Sequence, residues 1–106
     1  MTGEDLLETL RSFMAERDWG QFHSPENLAK SISIEAAELL ECYQWNGDAD
    51  SDEVAGELAD VLTYALLLAD KLELDPEQIV RAKLERTGQK YPVEKAKGRS
   101  TKYDRL

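Results

Sequence analysis

Residues 24–64 read SPENLAKSISIEAAELLECYQWNGDADSDEVAGELADVLTY, and this stretch decides the fold. Ser24 can cap a helix, and Pro25 suits its first position. Leu28, Ile32, Leu39 and Tyr43 then recur at helical spacing. Trp45, Asn46, Gly47 and Asp48 end that helix and turn the chain. A second helix starts at Asp50 or Ser51 and runs to about Leu74, with Val54, Leu58, Val61, Leu62, Ala65, Leu68 and Leu72 as its apolar face. Two long helices joined by so short a loop pack as an antiparallel hairpin.

The acids of this hairpin do not sit where a solvated face would put them. Glu35 and Glu38 are three residues apart, as are Glu57 and Asp60, so each pair shares one side of its helix. Glu35 interrupts the stripe of Leu28, Ile32 and Leu39, and Glu57 lies on the side of Val54 and Val61. Carboxylates at the edge of a core are costly unless a cation or hydrogen bonds compensate. Both Glu38 with Glu57 and Glu35 with Asp60 are centred between Gly47 and Asp48, in the turn. In an antiparallel hairpin each pair therefore faces across, and four carboxylates converge. Neighbouring carboxylates repel, and hard divalent cations prefer oxygen ligands. The pattern points to a metal site formed by Glu35, Glu38, Glu57 and Asp60. Glu41 continues the series as an outer ligand or a base that activates water, whereas Glu53 reads as a first-turn acid favoured by the helix dipole. The competing reading keeps these acids solvated or paired with Lys and Arg.

Outward from the hairpin, Leu6, Leu7, Leu10, Phe13 and Met14 mark an earlier helix over about Gly3 to Asp18, with Thr2 and Asp5 at capping-box spacing. Asp75, Pro76 and Gln78 open a fourth helix, expected to run to about Thr87 and stop at Gly88. Residues 89–106 hold Pro92, Gly98 and many charges, and read as an extended basic tail that orders only against something. No alternating segment is long enough for a strand. The expectation is one all-α domain over residues 1–106, a small four-helix bundle completed by partner chains because so short a chain buries a thin core.

Composition narrows the function. No apolar run is long enough to span a membrane, and the first residues do not read as a secretory signal. Cys42 is the single cysteine, which rules out an internal disulfide and fits a reducing cytoplasm. The net charge of −9 argues against binding a nucleic-acid backbone. Residues 1–80 carry 19 acids and 4 bases, whereas residues 81–106 carry 3 acids and 9 bases. An acidic body and a basic tail can bind metal at one place and phosphate at another, or simply neutralise each other. His23 is the only histidine and lies outside both acidic pairs. That disfavours zinc and the Glu-x-x-His pairs of di-iron bundles, and leaves Cys42 without a partner as a nucleophile.

Glu35-Ala-Ala-Glu38 followed by Glu57-Leu-Ala-Asp60 resembles the E-x-x-E…E-x-x-D signature of the MazG-like all-α NTP pyrophosphatases. The dCTP pyrophosphatase branch is similar over about Trp19 to Leu106. Matching features are Phe22-His23 before Asn27-Leu28, Gln44-Trp45, Glu57 to Tyr64, Tyr91-Pro92-Val93 and Lys102-Tyr103. The resemblance implies hydrolysis between the α- and β-phosphates, with Mg²⁺ (or Mn²⁺) on Glu35, Glu38, Glu57 and Asp60, and Glu38 or Glu41 as the base. It also implies a dimer or tetramer with shared pockets. Lys83, Lys90, Arg99 and Lys102 become candidates for phosphate contacts. Alone, Trp19, Trp45 and His23 read as core, interface or hydrogen-bonding residues; the resemblance assigns them, with Tyr64, to the base and sugar. Thr87 stands where the family usually carries Asn, and Lys90 where arginine is frequent. These changes bear on strict dCTP specificity and leave the metal chemistry untouched.

The reading is therefore a house-cleaning pyrophosphohydrolase of dCTP or modified dCTP. One alternative keeps the chemistry and changes the base, to dUTP or a damaged purine nucleotide. Another is a non-catalytic helical interaction module whose acids only aid solubility.

Overall fold

A computed structural model describes residues 3–45 and 47–106. Among them are five α-helices and no strand: α1 (Gly3–Glu16), α2 (Pro25–Glu41), α3 (Ser51–Lys71), α4 (Pro76–Lys90) and the short α5 (Val93–Ala96). Single 3₁₀ turns cover Gly20–Phe22 and Tyr103–Arg105. The all-α class follows from the sequence pattern.

Three helices start where their side chains dictate. The Ser24 hydroxyl accepts from the Asn27 N–H at 3.2 Å, with Pro25 at the first helical position. Asp50 accepts from the Asp52 N–H at 2.9 Å, and Asp75 from the Gln78 N–H at 3.2 Å. Each bond satisfies a donor that a helix start leaves unpaired. The Thr2–Asp5 capping box involves Thr2, which lies outside the described residues.

Helix ends depart from expectation where local geometry intervenes. α1 stops two residues early in a Schellman turn: Trp19 N–H donates to the Met14 carbonyl and Asp18 N–H to that of Ala15. Asp18 takes the left-handed conformation (φ 52°) that glycine usually fills there. α2 ends at Glu41, ahead of the expected stop at Trp45 to Asp48; Asn46 is outside the described residues. α3 ends at Lys71, with Glu73 left-handed at φ 58°. α4 runs through Gly88 to Lys90. A single glycine costs a helix about 1 kcal/mol and does not end it. Tyr91 precedes Pro92 and leaves the helical region at φ −123°, ψ 65°, because proline disfavours α conformation in the residue before it.

The chain forms two compact units, residues 1–73 and 74–106. In the first, α2 packs along α3 and α1 lies against α3. Its core is small: Leu28, Leu67 and Ala69 are the buried apolar residues among those described. Leu67 and Ala69 were not on the expected face of α3, while Leu58, Leu62 and Leu72 of that face are exposed. The cause is that α3 is apolar on more than one side, and α1 and α2 cover only part of it.

The second unit holds α4, α5 and the tail. The tail does not need an outside surface to order. Tyr91 and Tyr103 meet edge to face at 6.0 Å, and the Lys90 ammonium lies 4.6 Å from the Tyr103 ring centre. These contacts fold the last residues back on the end of α4.

Candidate metal and nucleotide site

α2 carries Glu35, Glu38 and Glu41, and α3 carries Glu57 and Asp60. Glu35, Glu57 and Asp60 each place one carboxylate oxygen within 4.8 Å of the others. Glu35 and Glu57 are half-buried, and the Oε2 atom of each is shut off from solvent without a hydrogen-bond partner. Orphaned buried carboxylate oxygens are costly. Among the described residues no Lys or Arg pairs with Glu35, Glu38, Glu57 or Asp60.

Electrostatics follows from that crowding. The Glu35 carboxyl is pushed up to about 7, first by a hydrogen bond shared with Glu38, then by burial and by the charges of Glu38, Asp60 and Glu57. Glu57 is raised as well, first by burial and then by Glu38. Like charges in a partly desolvated place favour the protonated form. Glu38 is exposed and stands outside the 4.8 Å group, yet acts on both half-buried acids. Glu41 is exposed and acts weakly on Glu57. The donor set is all carboxylate oxygen, with neither imidazole nor thiolate, and it suits a hard divalent cation. The nearby Cys42 thiol is pushed up by burial and by Glu53 and Glu57, the reverse of what an activated thiolate requires.

Of the expected base-binding residues, His23 and Tyr64 are brought together, their rings edge to face at 6.4 Å. Trp19 instead edges onto Phe13 at 5.8 Å, with the Arg17 guanidinium 3.6 Å from the Phe13 ring centre. Trp45 is 86% exposed. Lys83, Thr87, Lys90, Arg99 and Lys102 belong to the second unit. The Thr87 hydroxyl donates to the Lys83 carbonyl at 3.0 Å, one turn back in α4.

The sequence reading missed a cavity of about 270 Å³ inside the first unit. Met14, Leu28 and Leu67 wall it, and Arg11, His23 and Asp70 line it as well. Arg11 Nε lies 3.2 Å from both Asp70 oxygens, and Nη2 also donates to Oδ1. That guanidinium holds the Asp70 carboxyl below the usual carboxylate range. The pair joins residues 59 apart in the chain, and no local spacing signals such a contact.

The sequence profile of the MazG-like family matches residues 30–106, a segment that contains all five acids. The chain belongs to the MazG-like family. Among its relatives are dCTP pyrophosphatase 1 of Rattus norvegicus, 37% identical, and of Homo sapiens, 35% identical. Each alignment covers 99% of this chain and 68% of the relative. In three dimensions this MazG-like chain is similar to a pyrophosphatase from Archaeoglobus fulgidus DSM 4304, with a TM-score of 0.77 and 46% identity. That likeness covers 84% of this chain and 91% of the other.

Proposed function

We propose that this MazG-like chain hydrolyses a nucleoside triphosphate, most readily dCTP or a modified dCTP, to the monophosphate and pyrophosphate. Membership of the family makes it an enzyme of the nucleotide pyrophosphatase kind, and the names of its relatives support dCTP. The observation that carries the reading is the cluster of Glu35, Glu57 and Asp60, with two buried oxygens that lack partners.

Glu35, Glu38, Glu57 and Asp60 would hold Mg²⁺, with Mn²⁺ as the alternative. When bound, the ion supplies positive charge for the triphosphate and lowers the pKa of water. Glu38 or Glu41, both exposed, would take a proton from the attacking water. Cleavage between the α- and β-phosphates needs no protein nucleophile, in keeping with the raised Cys42 thiol. Trp19, His23, Trp45 and Tyr64 are assigned to base and sugar, and Lys83, Thr87, Lys90, Arg99 and Lys102 to the phosphates. Thr87 and Lys90, which depart from the family pattern, are where another nucleotide such as dUTP or a damaged purine would gain acceptance.

We extend the reading to assembly. Leu40 is 70% exposed and Leu62 54% exposed, while only three described residues form the core. Exposed apolar side chains beside so small a core support an interface, and a second copy of the chain would cover them. Such a homo-oligomer would work in the cytoplasm, without nucleic acid or membrane; no helix among the described residues is long and apolar enough to cross a bilayer.

The test is direct detection of pyrophosphate from a panel of dNTPs and NTPs with and without Mg²⁺. Mg²⁺-dependent release, greatest with dCTP, is expected. No pyrophosphate from any nucleotide would overturn the proposal.

A further inference from the structure

Trp19 and His23 bracket one 3₁₀ turn, Gly20–Phe22. Its bonds run from the Phe22 N–H to the Trp19 carbonyl and from the His23 N–H to that of Gly20. A turn this short has poor hydrogen-bond geometry and little stiffness of its own. Its neighbours fix it from both sides. On the α1 side, the Trp19 N–H donates to the Met14 carbonyl at 3.0 Å, and the Gln21 amide donates to the Asp18 carbonyl at 2.9 Å. On the α2 side, Nδ2 of Asn27 donates to the Phe22 carbonyl at 3.1 Å.

Asn27 serves α2 and the turn at once. Its backbone N–H bonds the Ser24 hydroxyl cap, while its side chain reaches back past that cap to Phe22. A carbonyl only accepts, so the amide nitrogen is the atom that faces it. Pro25 lies inside the loop so closed, and its fixed φ lowers the entropy lost in closing it. The next residue, Leu28, is 1% exposed and anchors this end of α2 in the core. Asn27 therefore ties the turn to a helix end that is itself held fast. Farther along the same helix, at about 1.5 Å per residue, Glu35 follows roughly 12 Å on. The His23 ring, in turn, meets Tyr64 of α3 edge to face at 6.4 Å, one helical turn from Asp60.

We infer that Asn27 is a positioning residue, which fixes His23 relative to the acids through its bond to the Phe22 carbonyl. The inference rests on the reading above, in which His23 meets the nucleoside and the acids hold the metal. With the phosphates at the acids, the length of the triphosphate sets where the sugar and base lie, and a recognition residue is useful only if it is held there. Cutting the tether frees His23 from Tyr64 and loosens the hold on the nucleoside, while the carboxylates stay as they are. The competing role for Asn27 is a plain part of the start of α2.

Asn27→Asp separates the two roles. An acid in the first turn is favoured by the helix dipole, so α2 should start as before and the melting temperature should stay at the wild-type value. An ionised carboxylate cannot donate to the Phe22 carbonyl, so the tether is lost. His23 is the only histidine, which makes its ring protons directly assignable by NMR. Their nuclear Overhauser contact with the Tyr64 ring should be present in the wild type and lost in the variant. In Mg²⁺-dependent pyrophosphate release from dCTP, KM should rise by about tenfold while kcat stays within about threefold of wild type. Asn27→Ala removes the donor without adding a charge and should behave alike. A wild-type Overhauser contact, or a wild-type KM, in both variants would overturn the inference. α,β-Methylene-dCTP, which resists cleavage between those two phosphates, gives a binding readout independent of turnover, and its Kd should rise by about tenfold in both variants. A wild type that binds this analogue and releases no pyrophosphate overturns only the catalytic reading, and the rise in Kd then still supports the tether. Equal Kd in wild type and variants overturns the role of Asn27 even where pyrophosphate is released.

Discussion

Glu35 of α2 and Asp60 of α3 face each other across the helical hairpin, each with an oxygen within 4.8 Å of the other and of Glu57. Without a cation this arrangement opposes ionisation, and the Glu35 carboxyl is held at about 7 against an ordinary value of 4.5. Between these values the folded chain binds more protons than the unfolded chain, so stability falls as pH rises. Glu35 thus contributes stability that is fully present below pH 4.5 and lost as pH passes through about 7. In EDTA, the melting temperature of the wild type should fall over this window more steeply than that of Glu35→Gln. Mg²⁺ should raise the wild-type melting temperature at pH 8 and much less at pH 5, where protons compete for the ligands. Equal pH slopes for wild type and variant in EDTA would contradict the account.

The same crowding separates the roles of Glu38 and Glu41. Glu38 acts on both Glu35 and Glu57, whereas Glu41 stands one turn farther on and its charge is the smallest of the effects on Glu57. Glu38→Gln should weaken Mg²⁺ binding and turnover together. Glu41→Gln should leave Mg²⁺ affinity close to wild type. If Glu41 is the base, kcat should drop by about 10²–10⁴-fold. Mg²⁺ titration followed by melting temperature, alongside pyrophosphate release, reads the two effects separately. A Glu41→Gln enzyme with unaltered kcat leaves Glu38 as the base.

Much of this site could be read from the sequence because its determinants are local. Ser24, Asp50 and Asp75 start their helices through bonds to N–H groups two or three residues on. The equal spacing of Glu35, Glu38, Glu57 and Asp60 about Gly47–Asp48 converts one short loop into a prediction of which acids meet. What the sequence hid depends on distant packing. The Arg11–Asp70 pair spans 59 residues. Burial of Leu67 and Ala69, rather than Leu58 and Leu62, reflects which side of a helix apolar on more than one side α1 and α2 cover. Pro92, Gly98 and the many charges make the tail read as extended and ordered only against something, and the side chains of Lys90, Tyr91 and Tyr103 supply contacts for it within its own unit.

Gly88 offers a prediction on stability alone. It lies inside α4 with nothing within 4 Å of where a Cβ would stand, and its backbone is not left-handed. Gly88→Ala should therefore stabilise the chain by about 0.4–1 kcal/mol, through helix propensity and reduced freedom of the unfolded chain. Urea denaturation would detect the shift in midpoint. A destabilised variant would mean that this turn of α4 is in contact with a neighbouring chain.

Trp45 tests whether exposure in the single chain conceals a function. At 86% exposed it contributes almost nothing to the core of this chain, so Trp45→Ala should change the stability of isolated chains by no more than about 0.5 kcal/mol. A large aromatic side chain in open solvent after α2 is otherwise a poor use of apolar surface, and indole rings are strong anchors at interfaces and against bases. If Trp45 stacks on the nucleotide, the variant should raise KM for dCTP by about tenfold or more while Mg²⁺ affinity and oligomeric mass stay at wild-type values. If it anchors a second copy of the chain, light scattering should show a lower mass at equal concentration. A variant with unchanged KM and unchanged mass would leave Trp45 outside both the substrate pocket and the interface, and the base would then be held without it.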